Sequence, residues 1–407
     1  MPPVTTLRRS AVRTAAKIDA KTPATRDRAL DGLRALALLS VPLGHWMLGG
    51  FDSPDGVLHN ASPLGALPSM APLSWVLQLL GVFFLVGGRA SALSLRRAAG
   101  RGVRTGAWLR GRVLRLARPV LGVAAVWAAL IPVLRALGVP AGTVRTGAVL
   151  MVQPLWYIAV YLVLTALTPL CVRFGARFRG WGAAVLMAAV ALVDLLRYGP
   201  WGAAVPGWLG LLNLLPGWLF AYQLGVDWAH GRLTRAGAKL LAVGGAALFA
   251  VLLVVFHYPA SMVGVPGAAR TNSHPPSLLV LALASVQGGA AVLLKDRLGR
   301  ALRRPLLWLP VVVVNLGAMT IFCWHQTAMF LTALAGSRLG ALPGLTTAPD
   351  SAAWALARLA WLPVFGAVLA LIGRWARRFD APWPSRAWRA VAGAGAALFA
   401  VYALGAV

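Results

Sequence analysis

The chain of 407 residues is 59% hydrophobic and 12% charged, with a mean hydropathy of +0.74 and a formal net charge of +29 at pH 7. A water-soluble domain of this length lacks the polar surface to cover so much apolar side chain, so the composition excludes one and points to lipid as the solvent. The basic residues lie between apolar runs instead of along one soluble face. This argues against a nucleic-acid partner and for orientation in a membrane, with anionic headgroups or a polyanionic substrate at its inner surface.

Residues 1–28 are polar and basic with no apolar core. They read as a disordered, membrane-hugging cytoplasmic tail, and the first hydrophobic run reads as a retained helix, not a signal peptide. A bilayer core of ~30 Å takes about 20 apolar residues per helix. On that ruler eleven spans follow, near 30–50, 71–93, 119–138, 151–172, 181–197, 208–227, 240–258, 277–294, 308–335, 353–373 and 389–407. The transmembrane domain then covers 29–387, with an additional C-terminal transmembrane helix at 388–407. If the N-terminus is cytoplasmic, the inner segments carry 31 Lys and Arg and the outer segments only five, Arg135, Arg145, Arg197, Arg270 and Arg338. Basic loops cross membranes poorly, so the bias supports that orientation. The expected fold is an all-α polytopic membrane protein, a bundle of about 10–11 transmembrane helices with its N-terminus in the cytoplasm. Cys171 and Cys323 fall inside apolar runs with no metal-ligand spacing and read as core residues, and no metal site is expected.

Polar side chains inside apolar runs carry the functional information, because lipid excludes them unless they face a cavity or a partner. The first span, "RALDGLRALALLSVPLGHWML" (28–48), holds Arg34 and His45. Eleven helical residues make about three turns, so the two lie within ~20° around the axis and ~16 Å apart along it. Asp31 stands one turn before Arg34 and is expected to pair with it. Pro42 removes a backbone hydrogen bond to Leu38 and is expected to bend the helix below His45. An arginine at the cytoplasmic mouth suits the phosphates of a long ligand, and a neutral histidine halfway across suits a general base. A snorkelling arginine and a histidine tying two helices together fit the same spacing.

Further candidates follow along the chain. Arg89 comes after Gly87 and Gly88, where small residues let helices approach; it either lines the same cavity or snorkels. The inner segment "RRAAGRGVRTGAWLRGRVLRLARP" holds eight arginines, suited to phosphates or to ordinary orientation of the loop. Trp156 serves a site or the outer aromatic belt. His325, Gln326 and Asn315 place polar groups in the ninth span, to position an acceptor or to join helices. Asp194 and Arg197 read as a local pair, and His59, His230, His257 and His274 fall in loops or at helix ends with no role assigned.

The first-span pattern, an aspartate–glycine–leucine–arginine run with a histidine eleven residues after the arginine, resembles the membrane-bound acyltransferase family 3, the integral-membrane acyl-CoA-dependent O-acyltransferases. "GVFFLVGGRASALSLRR" (81–97), "QPLWYIAVYLVLTALTPL" (153–170) and "TIFCWHQTAMF" (320–330) resemble later segments of that family in the right order. Gly87 stands where serine is common, and a tyrosine near 161 stands where many relatives have a glutamate. The family's R-x-x-R pair is matched by Arg112 and Arg115, and equally in spacing by Arg115 and Arg118.

The resemblance implies transfer of an acyl group, acetyl in the first instance, from cytosolic acyl-CoA to a hydroxyl. The hydroxyl would belong to a sugar of a surface glycan, a lipid-linked sugar or a glycosylated metabolite. It makes His45 and Arg34 the catalytic pair. Arg34, Arg89, Arg112 and Arg115 would hold the donor, and His325, Trp156 and Asn315 the acceptor. Acyl-CoA is then a co-substrate and no tightly bound cofactor is expected. The setting would be a bacterial cell (plasma or inner) membrane, with membrane lipids as the other partner. The alternative is a transporter for an anionic solute bound by His45, Arg34 and Asn315. That reading asks for paired broken helices in two repeated halves, and no repeat is visible in the sequence.

Overall fold

The computed structural model describes residues 4–200, 202, 205–268, 270–381 and 386–406. The first three residues of the expected tail and Val407 of the last expected span lie outside them. The chain opens with α1 (Val4–Ala20) and α2 (Arg28–Leu48), then a short antiparallel hairpin of β1 (Gly50–Asp52) and β2 (His59–Ala61). Next come α3 (Ala71–Leu77), α4 (Leu80–Ala99), α5 (Thr105–Ala136), α6 (Ala141–Val152), α7 (Leu155–Ala166), α8 (Thr168–Arg177) and α9 (Gly182–Tyr198). The remainder is α10 (Leu214–Ala229), α11 (Arg235–Val254), α12 (Leu278–Ala301), α13 (Pro305–Leu316), α14 (Ala318–Ser337), α15 (Ala352–Ala376) and α16 (Arg386–Ala406).

The protein is an all-α, multi-pass membrane bundle. Among the described residues seven helices are long and apolar enough to cross a membrane, and nine if each of two bent pairs counts as one span. The bent pairs are α8 with α9, at 100°, and α13 with α14, at 75°. The other two expected spans are α2, which carries Arg28, Asp31 and Arg34 in its first two turns, and α16, whose described apolar stretch is shorter.

Several boundaries differ from expectation. The N-terminal segment is not a disordered tail: Val4–Ala20 is helical and packs against α13. Ala15 is buried there, Arg28 joins Asp19 at 2.6 Å, and the Trp308 indole donates to the Thr22 hydroxyl at 2.8 Å. A hydropathy ruler does not see a polar helix held by tertiary contacts. Likewise 94–118 is not a loop throughout. α5 starts at Thr105 and runs 32 residues, about 48 Å, so Arg110, Arg112, Arg115 and Arg118 ride on its leading turns. Arginine is a good helix former, and the helix continues past its apolar half. The fourth expected span begins earlier, as α6, and breaks at Gln153–Pro154 before α7. The ninth breaks at Gly317. Pro42 does not interrupt α2, which is continuous from Arg28 to Leu48.

Three helices, α2, α11 and α15, start where a side chain replaces a missing backbone partner: Asp27 accepts from Leu30 N, Thr234 from Gly237 N and Ser351 from Trp354 N. Small residues set the packing. α4 crosses α10 where Gly88 meets the Tyr222 backbone and Gly225 meets the Leu85 carbonyl, and a Cβ at either glycine would overlap the opposing backbone. α11 and α12 meet in the same way through Gly245 and Gly289. These close crossings leave α2, α4, α10 and α14 in the centre, with α11 and α15 the most exposed spans.

Gly225→Ala should therefore force α4 and α10 apart and destabilise the fold by about 1–3 kcal/mol or more, the range for overpacking. Gly106→Ala, at a site with no neighbouring atom within 4 Å, should not destabilise it. Thermal midpoints of the detergent-solubilised variants check both, and equal midpoints for Gly225→Ala and wild type would contradict the packing.

Candidate active site

α2 presents one face to two cavities. The smaller, about 210 Å³, lies by its first half and is walled by Arg34 and Leu38 of α2, Gly87 of α4, Arg112 and Arg115 of α5, and Tyr161 of α7. The larger, about 620 Å³, lies by its second half, under the hairpin and the loop that follows α11. Its wall includes His45, Trp156, His274 and Gln326, with the amides of Asn60, Gln78 and Gln153. Among the described residues no Asp, Glu, Lys or Arg side chain lines it. Tyr157 and Phe322 line both cavities.

The histidine end is built by α2 against α14. The Trp46 indole donates to the His325 carbonyl at 3.1 Å, which fixes the two helices in register. His45 Nδ1 then lies 3.1 Å from Gln326 Nε2, and the His45 and His325 rings are 5.1 Å apart. With the Gln326 N–H on Nδ1, the neutral imidazole carries its proton on Nε2. Turning the amide over places Oε1, which has no other partner, on an Nδ1–H and frees the Nε2 lone pair. His325 is fully buried; its Nδ1–H donates to Phe322 O at 2.7 Å, and its Nε2 has no partner. Trp156 stands across the larger cavity with its ring 4.7 Å from that of His274.

Arg34 lies in the arginine end without a carboxylate partner among the described residues, since Asp31 pairs with Arg26 instead. Arg112 reaches the same cavity with its guanidinium over the Trp108 ring, 5.3 Å from the centroid. Arg115 joins it, whereas Arg118 does not line it. Arg89 is placed elsewhere: it donates to Trp228 O at 3.0 Å, its guanidinium lies 4.2 Å over the Trp228 ring, and it lines neither cavity. Asn315 is also apart, donating to Asp31 O at 2.9 Å and Val311 O at 2.8 Å, and so tying α13 to α2. Asp194 does not pair with Arg197; it accepts from Asn213, Tyr258 and Leu278 N.

Sequence reasoning gave Gln326 no place beside His45, gave His274 no role and did not single out Tyr157. Gln326 had a signal, an amide inside an apolar span next to a histidine. His274 had none, because a loop residue has no periodicity to place it. The two positions that depart from the family pattern touch one another: a Cβ at Gly87 would lie 2.7 Å from the Tyr161 ring, so the missing side chain in α4 makes room for the tyrosine in α7. Cys171 and Cys323 are both buried and free.

The end of α2 is held by Arg358 of α15, which is fully buried. Its guanidinium donates to Trp46 O at 2.6 Å, Gly49 O at 2.9 Å and Gly344 O at 2.9 Å, and lies 4.7 Å over the Phe365 ring. The last carbonyls of a helix lack intrahelical partners and carry partial negative charge, which a cation satisfies. Arg358 thus fixes the turn that carries His45.

A family model described as an acyltransferase domain matches residues 27–372. Neither a curated protein nor a solved structure matches the chain. The matched stretch begins at Asp27, the residue that caps α2, and ends within α15.

Arg358→Met should remove the donors to three carbonyls, two of the bonds fully buried, and destabilise the fold by about 3 kcal/mol or more. A large fall in the thermal midpoint of the purified protein is the expected readout. An unchanged midpoint would mean that the end of α2 is held by something else.

Proposed function

The chain belongs to the acyltransferase family 3, and from that premise we propose that it transfers an acyl group, acetyl in the first instance, from acyl-CoA in the arginine-lined cavity to a hydroxyl in the histidine-lined one. The observation that carries this reading is the shared wall: Tyr157 and Phe322 line both cavities, so a ligand in each would meet there. Arg34, Arg112 and Arg115 offer three guanidinium groups to the phosphates of coenzyme A. His45, oriented by Gln326, takes the acceptor proton as its oxygen adds to the thioester carbonyl. When the tetrahedral intermediate collapses, the C–S bond breaks and the departing thiolate takes that proton back from the imidazolium.

The acceptor cavity suits an uncharged sugar. It combines the aromatic faces of Trp156 and His274 with the amides of Asn60, Gln78 and Gln153, and among the described residues its wall carries no Asp, Glu, Lys or Arg side chain. A surface glycan, a lipid-linked sugar or a glycosylated metabolite would present such a group. The distribution of basic residues supports a cytoplasmic N-terminus, with the donor entering from the cytosol, and the membrane proposed is a bacterial cell membrane. His325 acts from behind His45, and Trp156 contacts the acceptor. Arg89 and Asn315 lie too far into their own contacts to share these roles.

The two bent helix pairs favour a second reading, a transporter for an anionic solute, because discontinuous helices form transporter sites. Thiol release separates the two. Membranes containing the wild type should release coenzyme A from acetyl-CoA in the presence of cell-envelope acceptor. His45→Ala should lower the rate about 10³-fold, the range for loss of a general base. Arg112→Gln with Arg115→Gln should raise KM for acetyl-CoA about 10-fold or more while leaving kcat nearly unchanged. Thiol release that is absent from wild type, or unaffected by His45→Ala, would contradict the proposal.

A further inference from the structure

Tyr157 is half a turn into α7, directly after the break at Gln153–Pro154. It is 5% exposed, yet its hydroxyl has no hydrogen-bond partner. Buried phenols normally find one: the fully buried Tyr222 bonds Thr168 at 2.7 Å, and the half-buried Tyr258 donates to Asp194 at 3.0 Å. The Tyr157 ring cannot swing away to find a partner. It is held by Phe83 and Phe84, each at 5.1 Å, by Phe322 at 5.5 Å and by Trp156 at 5.9 Å. A polar atom kept unpaired by this much packing is a cost to the fold, and such costs gather where a ligand supplies the missing partner.

The type of atom narrows the role. Two other unpartnered atoms sit on α14 beside the same wall, His325 Nε2 and Gln326 Oε1, and both are acceptors. Thr165 Oγ1 is a further unpartnered hydroxyl, but it lines only the smaller cavity and lies about 12 Å along α7 from Tyr157. Tyr157 is therefore the unpartnered donor at the junction of the two cavities.

We propose that Tyr157 is a catalytic residue, its O–H donating a hydrogen bond to the thioester carbonyl oxygen as negative charge develops there. This rests on the donor and acceptor assignment of the preceding section. As the acceptor oxygen forms its bond to the carbonyl carbon, its proton passes to His45 and the carbonyl π pair moves onto oxygen. That alkoxide accepts the Tyr157 hydrogen bond. When the C=O bond re-forms and the C–S bond breaks, the electron pair leaves on sulfur, and the thiolate takes the proton from His45. Tyr157 keeps its own proton throughout. A rigid donor in a water-poor site needs no rearrangement as the charge appears, which is the condition for strong stabilisation of an oxyanion.

The test is Tyr157→Phe in the full-length protein in nanodiscs, which removes the oxygen and keeps every ring contact. Acetyl-CoA with cell-envelope extract is the probe, and coenzyme A thiol release the readout. The expected result is a kcat lower by about 10²-fold, the usual effect of losing one oxyanion donor, with KM for acetyl-CoA within about twofold and a thermal midpoint equal to or above wild type. Tyr222→Phe, which loses a partnered hydroxyl, is the mirror control: a lower midpoint with kcat retained. If Tyr157→Phe keeps the wild-type kcat, or loses activity only in parallel with its midpoint, the catalytic role is overturned while the acyltransferase reading stands. If wild type gives no His45-dependent thiol release, the acyltransferase reading fails and this role fails with it.

Discussion

Hydrocarbon supplies no water, so every polar group within this bundle must find a protein partner or face a cavity. Most of the polar groups between α2, α14 and α15 obey this by bonding backbone. Trp46 donates to the His325 carbonyl, Arg358 to the carbonyls of Trp46, Gly49 and Gly344, and His325 to the Phe322 carbonyl. These bonds fix the end of α2 against α14 without any carboxylate. The exceptions then stand out: His45, Gln326, Tyr157 and the free nitrogen of His325 gather around one aromatic wall.

The same constraint orders the bundle from its two ends. The guanidinium groups that line a cavity, those of Arg34, Arg112 and Arg115, all lie at the smaller one, while the Arg358 guanidinium at the other end is taken up by backbone carbonyls. The larger cavity, at the hairpin end, keeps amides, hydroxyls and aromatic faces. Separation of charge along one helix is thus a separation of ligand chemistry. In the proposed reading a polyanionic donor takes the first compartment and an uncharged acceptor the second, with Tyr157 and Phe322 between them. The close glycine crossing of α4 on α10 supports this indirectly, because it holds α4 and its Gly87 surface against the tyrosine-bearing α7.

Much of this was legible in the residues. Eleven apolar runs each became a helix or a broken helix, and the eleven-residue spacing of Arg34 and His45 did place them on one face, each at its own cavity. What hydropathy could not see was polar helix held by tertiary contact, as in α1 and the arginine-bearing start of α5. Nor could it see partners. Asp31 was nearest to Arg34 in sequence but is taken by Arg26, and Asp194 is taken by three groups from other elements. Arg89 and Asn315 have the residue types of a site but are held elsewhere, Arg89 by the Trp228 carbonyl and ring and Asn315 by the carbonyls of Asp31 and Val311. Tyr157 had the opposite problem, since an aromatic in an apolar run looks like core until its hydroxyl is found unpaired.

The central claim is that donor and acceptor meet at the wall of Tyr157 and Phe322. The most direct measurement is a cryo-EM structure of the protein in nanodiscs with a non-hydrolysable thioether analogue of acetyl-CoA. The account predicts phosphate density against Arg34, Arg112 and Arg115, the pantetheine arm running along α2, and the analogue's carbonyl within hydrogen-bond reach of the Tyr157 hydroxyl. Density for the analogue outside the smaller cavity, or with its carbonyl turned away from that wall, would contradict it.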